Sequence, residues 1–276
     1  MCSAYRRKIA LSEMELKVAN RKVLKGIDIP GREKLILAGL YLSKYDSIGL
    51  QELGFDSFQE AFNVIGFALE ARPASIKNYR DEFDPRFSNP RRGWHKRPTR
   101  DYCLLVLERY KELDFESFTA LVKSFFGRDQ NIDDDMTSSD SEGEVVSSFA
   151  QRLITGLAAE HYFESVRTSI SEFKDHTSEN TTRLGCGYDF RLRLEPNDKN
   201  FLAIEVKGLR EQGGSLSMTP KEYQVASMLE NRFFLFVVRN FREVPSHKIY
   251  QNPLAGSLRF TKAERVVIQT SWRTTV

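Results

Sequence analysis

Two short runs constrain this chain more than any others. GYDFRLRL (Gly187–Leu194) and FLAIEVKG (Phe201–Gly208) alternate their side chains with a period of two, which a strand satisfies and a helix does not. The alternation predicts Tyr188, Phe190, Leu192 and Leu194 on one face of the first strand, and Asp189, Arg191 and Arg193 on the other. In the second it predicts Leu202, Ile204 and Val206 opposite Ala203, Glu205 and Lys207. Ionised groups are costly to hold among apolar neighbours, so Asp189, Glu205 and Lys207 need a reason to be there.

The flanking pattern supplies a fold around them. FAQRLITGLAAEHYFESVR, residues 149–167, reads as an amphipathic helix, and strands follow near 187–194, 201–207 and 232–239. A helix from about Pro220 to Glu230 separates the last two, and TKAERVVIQTSW adds a late strand or helix–strand unit. Helix, strand, strand, helix, strand is a compact α/β pattern.

Before residue 128 the periodicity is helical. Glu33 to Lys44 is broadly apolar, and SFQEAFNVIGFALE opens with Ser57 and Glu60 at a capping-box spacing. ASIKNYRDEF is stopped by Asp84-Pro85, and two further helices follow Pro98. Between the halves, Arg128 to Val146 carries seven acidic residues against one arginine. Such a run buries too little apolar surface to order itself and reads as a linker. Its DDDMTSSD stretch lacks the central glycine of a calcium loop at the required spacing. The expected organisation is a helical, basic domain over 1–127, an acidic linker over 128–147 and an α/β domain over 148–276.

The helical half concentrates positive charge. Arg72 to Arg100 holds nine cations against three anions, interleaved with Tyr79, Phe83, Phe87 and Trp94. Lysine and arginine neutralise phosphates, and three helices with a polar third resemble a helix-turn-helix arrangement. This reading offers Lys77, Asn78 and Arg80 to DNA from the third helix, with Arg91, Arg92, Lys96 and Arg97 from the following loop. The competing reading is a solvated face that partners the acidic linker.

Other features exclude more than they assert. Three cysteines, Cys2, Cys103 and Cys186, are too scattered for a disulfide framework or a zinc site. No apolar run approaches the length of a membrane span, and the N-terminal residues lack the apolar stretch of a signal peptide. A cytoplasmic location is expected, with no membrane partner. There is no Gly-x-x-x-x-Gly-Lys loop, so ATP-driven action would need a partner ATPase or helicase.

If the two strands pair, Asp189 sits beside Glu205, and Glu205 and Lys207 share a face. Paired carboxylates suit a hard divalent cation such as Mg²⁺ or Mn²⁺, and a neighbouring lysine can stabilise developing negative charge. For a lone Glu-x-Lys the bland alternative, a structural ion pair, would hold; here Asp189 lies upstream at a hairpin-like separation and a glycine follows the lysine.

GYDF followed by IEVKG resembles the PD-(D/E)xK nucleases, the restriction-endonuclease-like fold, and more narrowly the branch shared with the C-terminus of the plant protein NO VEIN. AAEHYFESV, TPKEYQVA and FFLFVVRN match the helix, helix and strand of that branch, over roughly 148–255. Tyr188 stands where the superfamily usually has proline, as it often does in this branch. The resemblance implies Asp189 and Glu205 as metal ligands, Lys207 as the catalytic lysine and Glu160 as a further ligand. It also implies a metal-dependent DNA endonuclease of bacterial restriction or phage-defence type, acting on double-stranded DNA. A homodimer and a partner methyltransferase are compatible with that reading. Its alternatives are a non-catalytic DNA-binding or assembly subunit and an RNA-directed nuclease.

Overall fold

The computed structural model describes residues 29–127, 142–196 and 198–264. Residues 128–141 of the expected linker and the part of the late element from residue 265 on therefore lie outside the described residues; the last linker positions, 142–147, are helical, which corrects the linker's expected end.

The first half is helical, as its periodicity predicts. Helix α1 (Gly31–Glu52) buries Leu37, Leu40 and Tyr41, and turns at Asp46, where a positive φ of 48° interrupts the helical backbone. Helix α2 (Phe58–Ala68) starts at Ser57, whose side chain accepts from the Glu60 N–H at 3.2 Å. The reciprocal half of the capping box is displaced by one residue, because the Glu60 carboxylate accepts from the Asp56 N–H instead. Helices α3 (Pro73–Phe83), α4 (Asp101–Tyr110) and α5 (Phe115–Ser124) complete the layer around α1.

The second half begins with α6 (Glu142–Val166). Five strands follow: β1 (Thr177–Asn180), β2 (Phe190–Arg193), β3 (Leu202–Gly208), β4 (Phe233–Arg239) and β5 (Ser246–Gln251), with α7 (Pro220–Leu229) between β3 and β4. They form one mixed sheet in sequence order. Strands β3 and β4 run parallel, Glu205 opposite Leu235, and all other pairs are antiparallel. A parallel pair needs a crossover connection, which α7 provides. Strand β4 (FFLFVVR) is buried on both faces, and its apolar run has no alternation for that reason. The short β1 and β5 at the sheet edges escaped the sequence pattern, since neither is apolar enough to show a period.

Helix α6 covers one face of the sheet. Its Phe163 ring meets Phe190 and Phe236, each at 5.0 Å between centroids. Gly208 ends β3 tight against the helix: a Cβ there would lie 3.0 Å from the Thr155 carbonyl oxygen. The other face is thinner, with Tyr188, Ala203 and Phe233 packed against Ala226 of α7. The larger core is continuous from Ile29 in the helical half to Phe241 beyond β4. Asn63 of α2 donates to the Phe241 and Glu243 carbonyls, both at 2.8 Å, and Phe67 meets the Tyr162 ring of α6 at 5.2 Å. No helix among the described residues is long and apolar enough to cross a membrane.

Two face assignments need correction. Tyr188 does not share the face of Phe190 and Leu192; it packs with Ala203 on the α7 side. Regular pairing of β2 starts at Phe190, preceded by Gly187 at a φ of 87°, so the period of two does not extend back to Tyr188. Leu194 lies past the last paired residue and is exposed.

Candidate functional site

Strand β3 turns Glu205 and Lys207 to the α7 side, and Asp189 enters from the approach to β2. The backbone locks these positions together: the Asp189 N–H donates to the Ile204 carbonyl at 2.9 Å. The Asp189 Oδ2 accepts from the Val206 N–H at 2.8 Å. The Lys207 Nζ stands 2.7 Å from Glu205 Oε1 and 2.9 Å from Glu222 Oε2. Glu222 is held by a capping box, in which the Thr219 hydroxyl accepts from the Glu222 N–H and the Glu222 carboxylate accepts from the Thr219 N–H. Glu160 reaches the same region from α6 and accepts from the Thr182 hydroxyl at 3.4 Å.

Burial makes this group electrostatically tense. Glu205 is 3% exposed and Glu160 7%. Burial, and then the charge of Glu160, push the Asp189 carboxyl up to about 7, against the pull of the Val206 N–H and Lys207. Burial and the neighbouring Asp189 also hold Glu205 well above the usual carboxylate range. Burial alone would depress Lys207, but the carboxylates of Glu205 and Glu222 outweigh it and raise its pKa. The lysine is therefore an ammonium at neutral pH.

Among the described residues, no three His, Cys, Asp or Glu side chains close into a ready-made metal cage. A magnesium-sized ion does not require one, since it binds through one or two carboxylates and keeps several waters. Asp189 and Glu205 supply that donor set. Their mutual repulsion, visible in the raised pKa of Glu205, is what a shared divalent cation would relieve. The residues fit the group. Glu160 acts on Asp189 through its charge and is not part of a closed cage.

The residues expected to meet DNA divide differently. Arg80 is buried, bonded to Asp81 at 2.5 Å and 3.8 Å from Asp84. Arg91 binds Asp84 at 2.9 Å and also pairs with Asp46. Both guanidiniums are thus engaged by carboxylates of their own half. The reason lies in Asp84: it is 1% exposed, and a buried carboxylate demands counter-charge. Lys77 is exposed and pairs with Asp81 at 2.7 Å, and Asn78 is exposed. Arg97 lies 3.4 Å from Glu82 while remaining about half exposed. Arg92 and Lys96 are exposed, with no carboxylate partner among the described residues. The basic segment thus finds acids within its own half, at Asp46, Asp81, Glu82 and Asp84.

A cavity of about 860 Å³ opens between the halves, beside Thr182 and next to Glu160; Lys34, His161 and Arg183 are among its walls. The role of Glu222 as the second anchor of Lys207 was missed in the sequence. In the sequence Glu222 stands only within the TPKEYQVA helix match, and only the structure shows both its capping box and, through the packing of α7 across β3, its bond to Lys207.

Every member of this cluster falls inside one stretch of similarity to known proteins. Residues 157–251 match the family described as Protein NO VEIN, C-terminal. No curated protein and no solved structure matches the chain. The NO VEIN C-terminal match opens within α6 just before Glu160 and closes on the last residue of β5. It therefore takes in Asp189, Glu205, Lys207 and Glu222 and all five strands, and leaves the helical half outside.

Proposed function

We propose that the chain is a metal-dependent endonuclease of the PD-(D/E)xK, restriction-endonuclease-like kind, cutting double-stranded DNA in a bacterial restriction or phage-defence setting. The observation that carries this reading is the Lys207 ammonium, clamped beside Glu205 with Asp189 across from it. A solvent-facing ion pair on a strand would not bury Glu205 or lift the pKa values of both acids.

Asp189 and Glu205 would hold magnesium or manganese. When bound, such an ion supplies Lewis-acid activation of water and neutralises charge at the phosphate. Lys207 is kept protonated by its two carboxylates, so its part is to donate hydrogen bonds to the attacked phosphate and stabilise negative charge as it develops. Glu222 positions that ammonium from the first turn of α7. Exposed cations of the helical half, Arg92, Lys96 and Arg97 among them, would supply phosphate contacts.

Nicking of supercoiled plasmid by the purified protein, with Mg²⁺ or Mn²⁺ and with EDTA, tests the reading. Cleavage that needs the metal and vanishes in Asp189→Asn supports it. Absence of metal-dependent cleavage of duplex DNA, with retained DNA binding, would replace it by the non-catalytic subunit reading.

A further inference from the structure

Outside the acidic cluster, the helical half carries a second ordered arrangement. The Arg32 guanidinium lies 4.2 Å from the centroid of the Tyr102 ring, and Arg100 lies 4.9 Å from the same ring. Arg100 is also 5.7 Å from the Trp94 ring and 5.4 Å from Tyr79, and Arg97 lies 4.1 Å from Trp94. Arginine and aromatic rings thus alternate from Arg32 through Tyr102, Arg100 and Trp94 to Arg97. The chain path joins the start of α1, the start of α4 and the loop between α3 and α4.

A ladder of this kind could serve folding alone, but its charge balance argues otherwise. Glu82 is buried beneath it and accepts from both Arg100, at 2.6 Å, and Arg97. One carboxylate therefore answers two arginines. Arg32 at the far end is exposed and has no carboxylate partner among the described residues; its neighbours are the Tyr79 and Tyr102 hydroxyls. Arg92 and Lys96, in the same loop as Trp94, add two further unpaired cations. Stacking against a ring removes rotamer freedom from a guanidinium while leaving its N–H edge able to bind oxygen. The result is a fixed row of cations with few acids to answer them.

We infer that the Arg32–Tyr102–Arg100–Trp94–Arg97 ladder is a preorganised contact surface for the phosphodiester backbone of nucleic acid. It rests on the nucleic-acid part of the function proposed above and not on cleavage. It moves the contact away from Arg80 and Arg91, which are engaged by Asp81 and Asp84, and assigns it to residues whose arginines are ordered by stacking. Affinity should therefore depend on the rings as well as on the charges.

The test uses Trp94 as its own reporter. The chain has two tryptophans, so the Trp272→Phe protein emits from Trp94 alone. Binding is measured in EDTA, where no metal supports cleavage, with a short duplex of mixed sequence as the probe and heparin as a polyanion without bases or ribose. Duplex is expected to change Trp94 emission saturably and reversibly with salt. Trp94→Leu, which leaves net charge untouched, should weaken duplex binding roughly tenfold, and Arg97→Lys should weaken it severalfold. Circular dichroism identifies a Leu variant that fails to fold, in which case Arg97→Lys and the emission titration decide. Unchanged emission at saturation, or equal affinity in the folded variants, overturns the proposal. Heparin bound as tightly as duplex, with the same loss in Trp94→Leu, overturns the nucleic-acid assignment. A protein that shows the emission change but cuts nothing leaves the ladder standing and removes the nuclease reading. One that cuts DNA without the change does the reverse.

Discussion

Lys207 and Glu222 meet at 2.9 Å, although they are fifteen positions apart and one lies on a strand, the other on a helix. With Glu205 at 2.7 Å on the other side, the ammonium is fixed from both directions. Most of the chemistry expected of this protein depends on that fixation.

Asp189→Asn, Glu205→Gln and Lys207→Met are each expected to abolish metal-dependent cleavage. The two amide variants should keep or raise thermal stability, because each removes a strained buried charge. Lys207→Met should instead lower it, by about 3 kcal/mol, since Glu205 and Glu222 lose the cation between them. Plasmid nicking and denaturant titration on the same samples read both effects. Wild-type turnover in either amide variant would end the proposed roles.

Thr219→Ala should cost about 1 kcal/mol through loss of the helix cap. It should also slow cleavage, because Glu222 is held where it meets Lys207 partly by that cap. A stability loss with unchanged turnover would mean that Glu222 needs no such support.

Arg91→Met is expected to destabilise the fold by about 3 kcal/mol, as it strips counter-charge from the buried Asp84. Arg92→Ala, on an exposed residue of the same loop, should leave stability within about 0.5 kcal/mol of wild type. Urea midpoints compare the two directly. Equal midpoints would return Arg91 to the list of surface cations.

Two groups of acids should give opposite responses to pH. At Glu82 and Asp81, burial is outweighed by hydrogen bonds from Arg100 and from Lys77 and Arg80, so both are held below their ordinary values. Their stabilisation is present above the unfolded values near 4.5 and 3.8 and is lost as pH falls through the lower folded values. At Asp189 the folded value is raised, so its ionisation weakens the fold progressively as pH climbs from about 3.8 to about 7. Melting temperature in chelator should therefore fall across that upper interval, and the fall should be smaller in Asp189→Asn. Divalent cation should raise the melting temperature more at pH 8 than at pH 6, because binding requires ionised carboxylates. A cation effect independent of pH would argue against Asp189 as a ligand.

Much of this was legible in the chain. A strict period of two located β2 and β3, helical periods located α1 to α5, and the apolar run of β4 stood out because both its faces are covered. The side-by-side placement of Asp189 and Glu205 followed from pairing those strands. What stayed hidden was non-local. Tyr188 lies ahead of the regular pairing, so no periodicity governed its face. Arg80 and Arg91 look like their exposed neighbours in composition, and only the folded positions of Asp81, Asp84 and Asp46 show which carboxylates engage them. Glu222 needed the crossover of α7 before it could be read as a partner of Lys207.

The Asn63 side chain, tied to two carbonyls just past β4, has a consequence for how any cut would be made. Together with the core that runs unbroken from α1 through α6 into the sheet, it ties the described part of the half that carries the arginines to the half that carries Asp189 and Glu205. A duplex gripped at one end of such a body is measured off by it, as by a caliper locked at one opening. The break should then fall at a single spacing from the gripped stretch, and sequencing of product ends should return one sharp interval in place of a spread.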